Sequence, residues 1–189
     1  MTPSQTTPGA GSAASAAGVR SARAREVVGV GRRLLEEEGA GALPMRRLAE
    51  RLGIRAPSLY KHLPDKAALE AAIIATGFEE AADAFEQAVE GSADPLTALA
   101  AAYRSFALAH PHLYRLMHNG PLHREHLPKG LEDRAAAPVL RVAGTQARAR
   151  ALWAFAHGMV ILELDRRFPA DADLDAAWHA GLAAFRSAP

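Results

Sequence analysis

Residues 44–63 read P-M-R-R-L-A-E-R-L-G-I-R-A-P-S-L-Y-K-H-L, and this stretch constrains the fold more than any other part of the chain. Met45, Leu48, Ala49 and Leu52 stand at i, i+3, i+4 and i+7, the spacing of one apolar helix face. Pro44 suits the first turn of that helix, where its missing N–H is not needed. Gly53 breaks the helix, and its freedom at positive φ predicts a tight turn. A second short helix follows over Arg55–Leu63, with Pro57 in its first turn, Leu59 and Leu63 facing inward, and Pro64 as its stop. Small Ala49 lets the two helices cross closely, and Ile54 and Leu59 pin them together.

Two short helices around a glycine turn are the form of a helix-turn-helix, in which the second helix enters the major groove of DNA and the first crosses the backbone. The polar side of the second helix carries Arg55, Ser58, Lys61 and His62, with Tyr60 beside them. These side chains suit phosphates and base edges. The alternative is an ordinary helical hairpin in a bundle. Against it, no acidic residue lies between Arg51 and Pro64. The charge distribution points the same way: residues 1–66 hold 11 Lys/Arg and 6 Asp/Glu, while residues 67–189 hold 11 and 15. A basic first third on an acidic remainder suits a polyanion-binding head.

Elsewhere the pattern is helical and no strand is predicted, so the expected fold is all-α: three N-terminal helices, a long fourth, and about six more. Residues 1–20, rich in Ala, Gly, Ser, Thr and Pro without periodicity, read as a disordered tail. A first helix is expected from an N-cap at Ser21 to Gly39, with the stripe Val27, Val30, Leu34, Leu35. Asp65 caps the fourth helix, which reaches about Glu90. Pro95 and Pro111 open two more. Residues 118–130 read as a loop, 131–142 as a helix, 145–168 as a long apolar helix stopped by Pro169, and Leu174–Phe185 as the last. The resulting domains are 21–66 and 67–189. There is no cysteine, which excludes disulfides and thiolate chemistry. No apolar run approaches the ~20 residues of a membrane span, and residues 1–20 lack the form of a signal peptide, so the expected place is the cytoplasm.

The run M-R-R-L-A-E-R-L-G-I-R-A-P-S-L-Y-K-H-L-P-D-K-A-A-L resembles the DNA-binding domain of TetR-family regulators over residues 22–75. The resemblance places Tyr60 near the end of the recognition helix and Lys66 at the opening of the fourth. On this reading Arg55 and Ser58 are expected to read bases, Tyr60, Lys61, His62 and Lys66 to position phosphates, and Arg46 to be a further DNA contact. A Lys in a first helical turn opposes the helix dipole, and phosphate binding explains it. Pro44 stands where the family commonly has Thr, and Leu63 where it commonly has Phe. Further on, H-P-H-L-Y-R-L-M (110–117) and L-W-A-F-A-H-G-M-V-I-L-E (152–163) resemble a C-terminal domain of these regulators named for a Trp-His-Gly pattern, here Trp153, His157 and Gly158. That implies an effector pocket and a homodimer formed through the last two long helices, on a palindromic double-stranded operator.

For the pocket, the candidates are Phe78, Phe85, Tyr103, Phe106, Trp153 and His157, which a plain core would equally use. For the dimer contact they are Ile161, Leu174, Trp178, Gly181, Leu182 and Phe185. The expected function is a ligand-released repressor answering to a small apolar or aromatic molecule. His110, His112, His118, His123 and His126 raise a metal-sensing alternative, but Glu125 is their one acidic companion and a solvated loop accounts for them. No nucleophile elbow, phosphate-binding loop or H-E-x-x-H motif occurs, so neither catalysis nor a cofactor is expected.

Overall fold

Aspartate and threonine caps start four of the helices, Asp173 accepting from the Ala176 N–H at 2.9 Å in the last of them. Asp65 Oδ1 accepts from the Ala68 N–H at 2.8 Å, Asp94 Oδ1 from Thr97 at 3.3 Å, and Thr145 Oγ1 from Arg148 at 3.3 Å. Each satisfies a donor that a first turn leaves orphaned. The structure, a computed structural model, describes residues 10–39, 41 and 43–186, with side chains from residue 22 onward. The described residues form α-helices and a 3-10 turn, with no strand among them. Two compact units result, one ending at Ile73 and the next beginning at Ile74.

The first unit comprises α1 (Ala10–Glu38), α2 (Met45–Arg51), α3 (Ala56–Leu59) and the opening of α4 (Lys66–Val89). Val27, Leu34, Leu35, Leu43, Leu48, Leu59 and Leu69 are fully buried. Each such side chain contributes about 1.5–3 kcal/mol of transfer free energy. Gly31 lets α1 approach α4, since a Cβ there would lie 3.1 Å from Leu69 Cδ1 and 3.2 Å from Ile73 Cδ1. Gly53 has φ +63°, the left-handed turn its sequence position predicts.

Two expectations are corrected here. The first helix begins at Ala10, upstream of Ser21, because an alanine-rich run with no proline between Pro8 and Pro44 gives the helix no reason to stop. Residues 1–9 of the expected tail lie outside the described residues. The recognition helix is a single α-turn, Ala56–Leu59, continued to Leu63 by the bonds His62 N–H to Leu59 O (2.8 Å) and Leu63 N–H to Leu59 O (3.0 Å).

The second unit holds the rest of α4, α5 (Pro95–Ala109), α6 (Pro111–His118), a 3-10 turn (Arg124–His126), α7 (Leu131–Ala143), α8 (Gln146–Leu164) and α9 (Leu174–Arg186). Five α-helices and the turn thus stand where about six helices were expected. Helix α8 ends at Leu164, short of Phe168: Arg166 takes φ +52°, and Pro169 disfavours helical backbone at the residue before it. Gly77 admits α6 to α4, with Met117 Sδ 2.6 Å and Leu113 Cδ2 3.0 Å from where a Cβ would stand.

The stripe expected to face a second chain is largely spent inside this one. Trp178 and Leu182 are 5% and 3% exposed. Phe155 of α8 meets Trp178 edge-on at 5.4 Å and lies 5.9 Å from Phe185. Its ring occupies the space a Gly181 side chain would need. Periodicity identifies an apolar face of α9 but not the helix that covers it, and α8 of the same chain lies against it. Ile161, Leu174 and Phe185 are half-buried.

Candidate functional site

In the first unit, the charges of α1 and α2 are sorted by pairing. Both Glu38 oxygens accept from Arg47 Nη2 at 2.6 Å, and Arg51 Nη2 donates to Glu37 at 2.7 Å. The Arg47 guanidinium holds the Glu38 carboxyl below its usual range. Arg47 and Arg51 therefore stitch α2 to α1. Arg46 is exposed and pairs among the described residues with Glu50, one helical turn on, at 3.2 Å. Arg55, Tyr60 and Lys61 are exposed, while Ser58 and His62 are half-buried. Leu59, fully buried between them, anchors the turn that displays this group. Neither Arg55 nor Lys61 has an ion-pair partner among the described residues. Lys66 Nζ lies 3.1 Å from Glu70 Oε1, so the charge that opposes the α4 dipole has a partner on its own helix.

In the second unit, all six expected pocket residues line one cavity of about 640 Å³. Helix α4 brings Phe78 and Phe85, α5 brings Tyr103 and Phe106, and α8 brings Trp153 and His157. Phe85 stacks on Tyr103 at 5.6 Å and meets Phe106 edge-on at 6.4 Å. Ala135, Ala136, Val139 and Leu140 of α7 complete the apolar wall, and Arg124, Glu132, Asp133, Gln146 and Arg150 also border the cavity.

The polar end is organised by a residue the sequence reading passed over. Tyr114, 1% exposed, has its hydroxyl 2.8 Å from the Tyr103 hydroxyl and 2.8 Å from His157 Nδ1. Its ring stacks on His157 at 5.7 Å and lies 4.3 Å from the ring of His118. His118, read earlier as part of a loop, ends α6 and lines the cavity. Burial pushes the Tyr103 hydroxyl up to about 12, opposed by hydrogen bonding with Tyr114 and Trp153. Burial raises Tyr114 as well, with the Tyr103 charge adding to it. His118 is brought down to about 4 by burial, and His157 is lowered by the same cause. At neutral pH this end of the cavity is thus polar and uncharged. The spacing of Tyr103 and Tyr114 could not announce the pair, because they lie on different helices.

The histidines of 110–126 do not converge. His110 packs on Phe106 at 5.4 Å, His118 faces the cavity, and His123 and His126 flank Glu125 in the 3-10 turn. Among the described residues no three His, Asp or Glu side chains gather as a metal set. No helix among them is long and apolar enough to cross a membrane.

Two family profiles match the chain. Residues 27–73 match bacterial regulatory proteins of the tetR family, and residues 96–185 match a tetracyclin repressor-like C-terminal domain. The HTH-type transcriptional regulator Rv1816 of Mycobacterium tuberculosis is 27% identical over 124 residues, 63% of this chain and 52% of its own length. A second regulator of that organism, the uncharacterized HTH-type Rv0681, is 33% identical over 141 residues, 69% of this chain and 65% of its own. The chain therefore spans about half to two thirds of the curated relatives it matches. A protein with unknown function from Rhodococcus sp. RHA1 shares the fold with a TM-score of 0.70 and 27% identity, over 86% of this chain and 92% of that one. The chain belongs to the TetR family of transcriptional regulators, and its all-α fold with an N-terminal helix-turn-helix is that family's.

Proposed function

We propose that the chain is a DNA-binding repressor that holds a palindromic operator as a homodimer and releases it when a small apolar or aromatic molecule enters the second unit. One observation carries the reading. Arg55, Tyr60 and Lys61 stand exposed on a turn anchored by Leu59, on a surface free of acidic residues from Arg51 to Pro64. Arg55 and Ser58 read bases, while Tyr60, Lys61, His62 and Lys66 position phosphates, Lys66 exchanging Glu70 for a stronger anion. Arg46, held only by an exposed pair, reaches backbone. Two such heads meet successive major grooves about 34 Å apart. The protein acts in the cytoplasm, without catalysis or cofactor.

The second copy is seated on α8 and α9. Their inner residues are buried, yet Leu162 is 42% exposed, Ala154 and Ala180 are exposed, and a Cβ at Gly158 would meet nothing within 4 Å. Small residues with one large apolar neighbour suit close helix packing across a two-fold axis. Helix α4 carries Lys66 at its start and Phe78 and Phe85 in the cavity wall, so a molecule bound there acts on the helix that opens with a phosphate contact. Release requires different affinity of that molecule for the bound and free forms.

The test is fluorescence anisotropy with duplex fragments from around the encoding gene. Selective binding that is lost in Tyr60→Ala and Lys66→Ala, and that weakens steeply with salt, is the expected result. Equal weak binding to every fragment, unchanged in both variants, would overturn the reading.

A further inference from the structure

We propose that the cavity selects an uncharged aromatic molecule bearing a hydroxyl donor, with the hydroxyl bound to His118 Nε2 and the ring seated among Phe78, Phe85, Phe106 and Trp153. This rests on the reading of the cavity as an effector site.

His118 closes α6 on the cavity wall. Its Nδ1 lies 2.8 Å from the carbonyl oxygen of Tyr114. A carbonyl only accepts, so Nδ1 carries the proton and donates it. In a neutral imidazole the other nitrogen is then a bare acceptor. Burial keeps the ring neutral, bringing its titration down to about 4. The Tyr103 hydroxyl, the Tyr114 hydroxyl and His157 Nδ1 form one chain at 2.8 Å per link, so these three atoms are satisfied by one another. His118 Nε2 is left as an acceptor with no hydrogen-bond partner among the described residues.

An acceptor on an apolar cavity wall rewards a donor and penalises a second acceptor, because an unmet polar group costs more than an average hydrogen bond gains. This is what separates a hydroxyl from its methyl ether. Charge separates it from a carboxylate. At the cavity border Arg124 pairs with Glu132 at 2.9 Å, and with Arg150 and Asp133 the border carries two cations and two anions, so its charges sum to zero and favour no anion. The aromatic preference follows from the rings already stacked there, which offer faces and edges to a further ring.

The probes are 2-naphthol, 2-methoxynaphthalene and 2-naphthoate, titrated calorimetrically into the full chain near neutral pH. The expected result is 2-naphthol binding about tenfold tighter than its ether, the ratio one hydrogen bond supports. In His118→Phe, which keeps a ring but no nitrogen, the two should bind alike. The nitrogen-15 resonance of His118 Nε2 should shift with 2-naphthol and not with the ether, a readout that needs no variant to fold. Equal affinities in the wild type, a preference surviving in His118→Phe, an unmoved Nε2 resonance, or 2-naphthoate binding tightest would each overturn the proposal and leave the cavity as an effector site of another chemistry. If none of the three binds while operator binding is intact, the effector-site reading fails with it.

Discussion

Arg104 grips Glu163 with two nitrogens along one edge of its guanidinium, Nε to Oε2 at 2.9 Å and Nη2 to Oε1 at 2.8 Å, and so ties α5 to α8. Both side chains are mostly buried, and Asp175 of α9 adds a third contact to Arg104 at 2.6 Å from a position open to solvent. A two-pronged, charge-assisted pair fixes the relative position of two helices more firmly than any single bond between them.

Removing the inner partner should cost far more than removing the outer one. Glu163→Ala is expected to destabilise the second unit by about 1.5–3 kcal/mol, and Asp175→Ala by about 0–1 kcal/mol. Urea unfolding of both variants checks the order. Equal losses would mean that the inner pair has no special weight.

The Tyr114 hydroxyl holds two neighbours at once, so Tyr114→Phe should lower stability by about 1–3 kcal/mol by stranding His157 Nδ1 and leaving the Tyr103 hydroxyl with Trp153 alone. Tyr103→Phe leaves Tyr114 its bond to His157 and should cost less. Thermal unfolding measures both. A phenylalanine at 114 with an unchanged midpoint would show that water replaces the hydroxyl without penalty.

Two glycines should answer alanine in opposite ways. At Gly181 the new methyl runs into the Phe155 ring, which is itself held by Trp178 and Phe185, and about 1–3 kcal/mol should be lost to overpacking. At Gly158 nothing stands in the way, and alanine's better helix propensity should leave the isolated chain as stable or more so, by up to about 1 kcal/mol. The same Gly158→Ala should weaken self-association if α8 meets a second copy there. Unfolding curves and sedimentation equilibrium separate the two effects.

Acid should destabilise the second unit before its carboxylates titrate. His118 is held at about 4 in the folded chain against 6.5 for the free group. Between these values the unfolded chain binds the extra proton, so stability is full above about 6.5 and falls as pH drops towards 4. The loss approaches roughly 3 kcal/mol for His118 alone, and His157 shifts in the same direction. In His118→Phe the stability curve over this window should flatten. A slope as steep as in the wild type would assign the acid sensitivity to other groups.

Much of this was legible in the sequence, for identifiable reasons. The cap at Asp65 and the turn at Gly53 are local, set by residues within one helical turn. Phe78, Phe85, Tyr103 and Phe106 were legible from the apolar stripes of α4 and α5, whereas Trp153 and His157 lie on a helix apolar on most sides and were singled out through the Trp-His-Gly resemblance. What escaped depends on pairing between distant elements. Trp178, Gly181 and Leu182 form a genuine apolar stripe, but only packing reveals that Phe155 covers it. Tyr114 looks like any tyrosine in a short helix until Tyr103 and His157 arrive from α5 and α8. The early start of α1 escaped because an alanine-rich run has strong propensity and no periodicity.

If the homodimer proposed above forms on the outward side of α8, with Leu162 beside the bare backbone at Gly158, the regulator's response to its own abundance follows from that surface. A surface completed only by another copy places operator binding under mass action. Below the dissociation constant of the pair, the active form falls with the square of the number of chains. Halving expression would then remove three quarters of the competent protein, and the proposed operator would be emptied by dilution with no effector present.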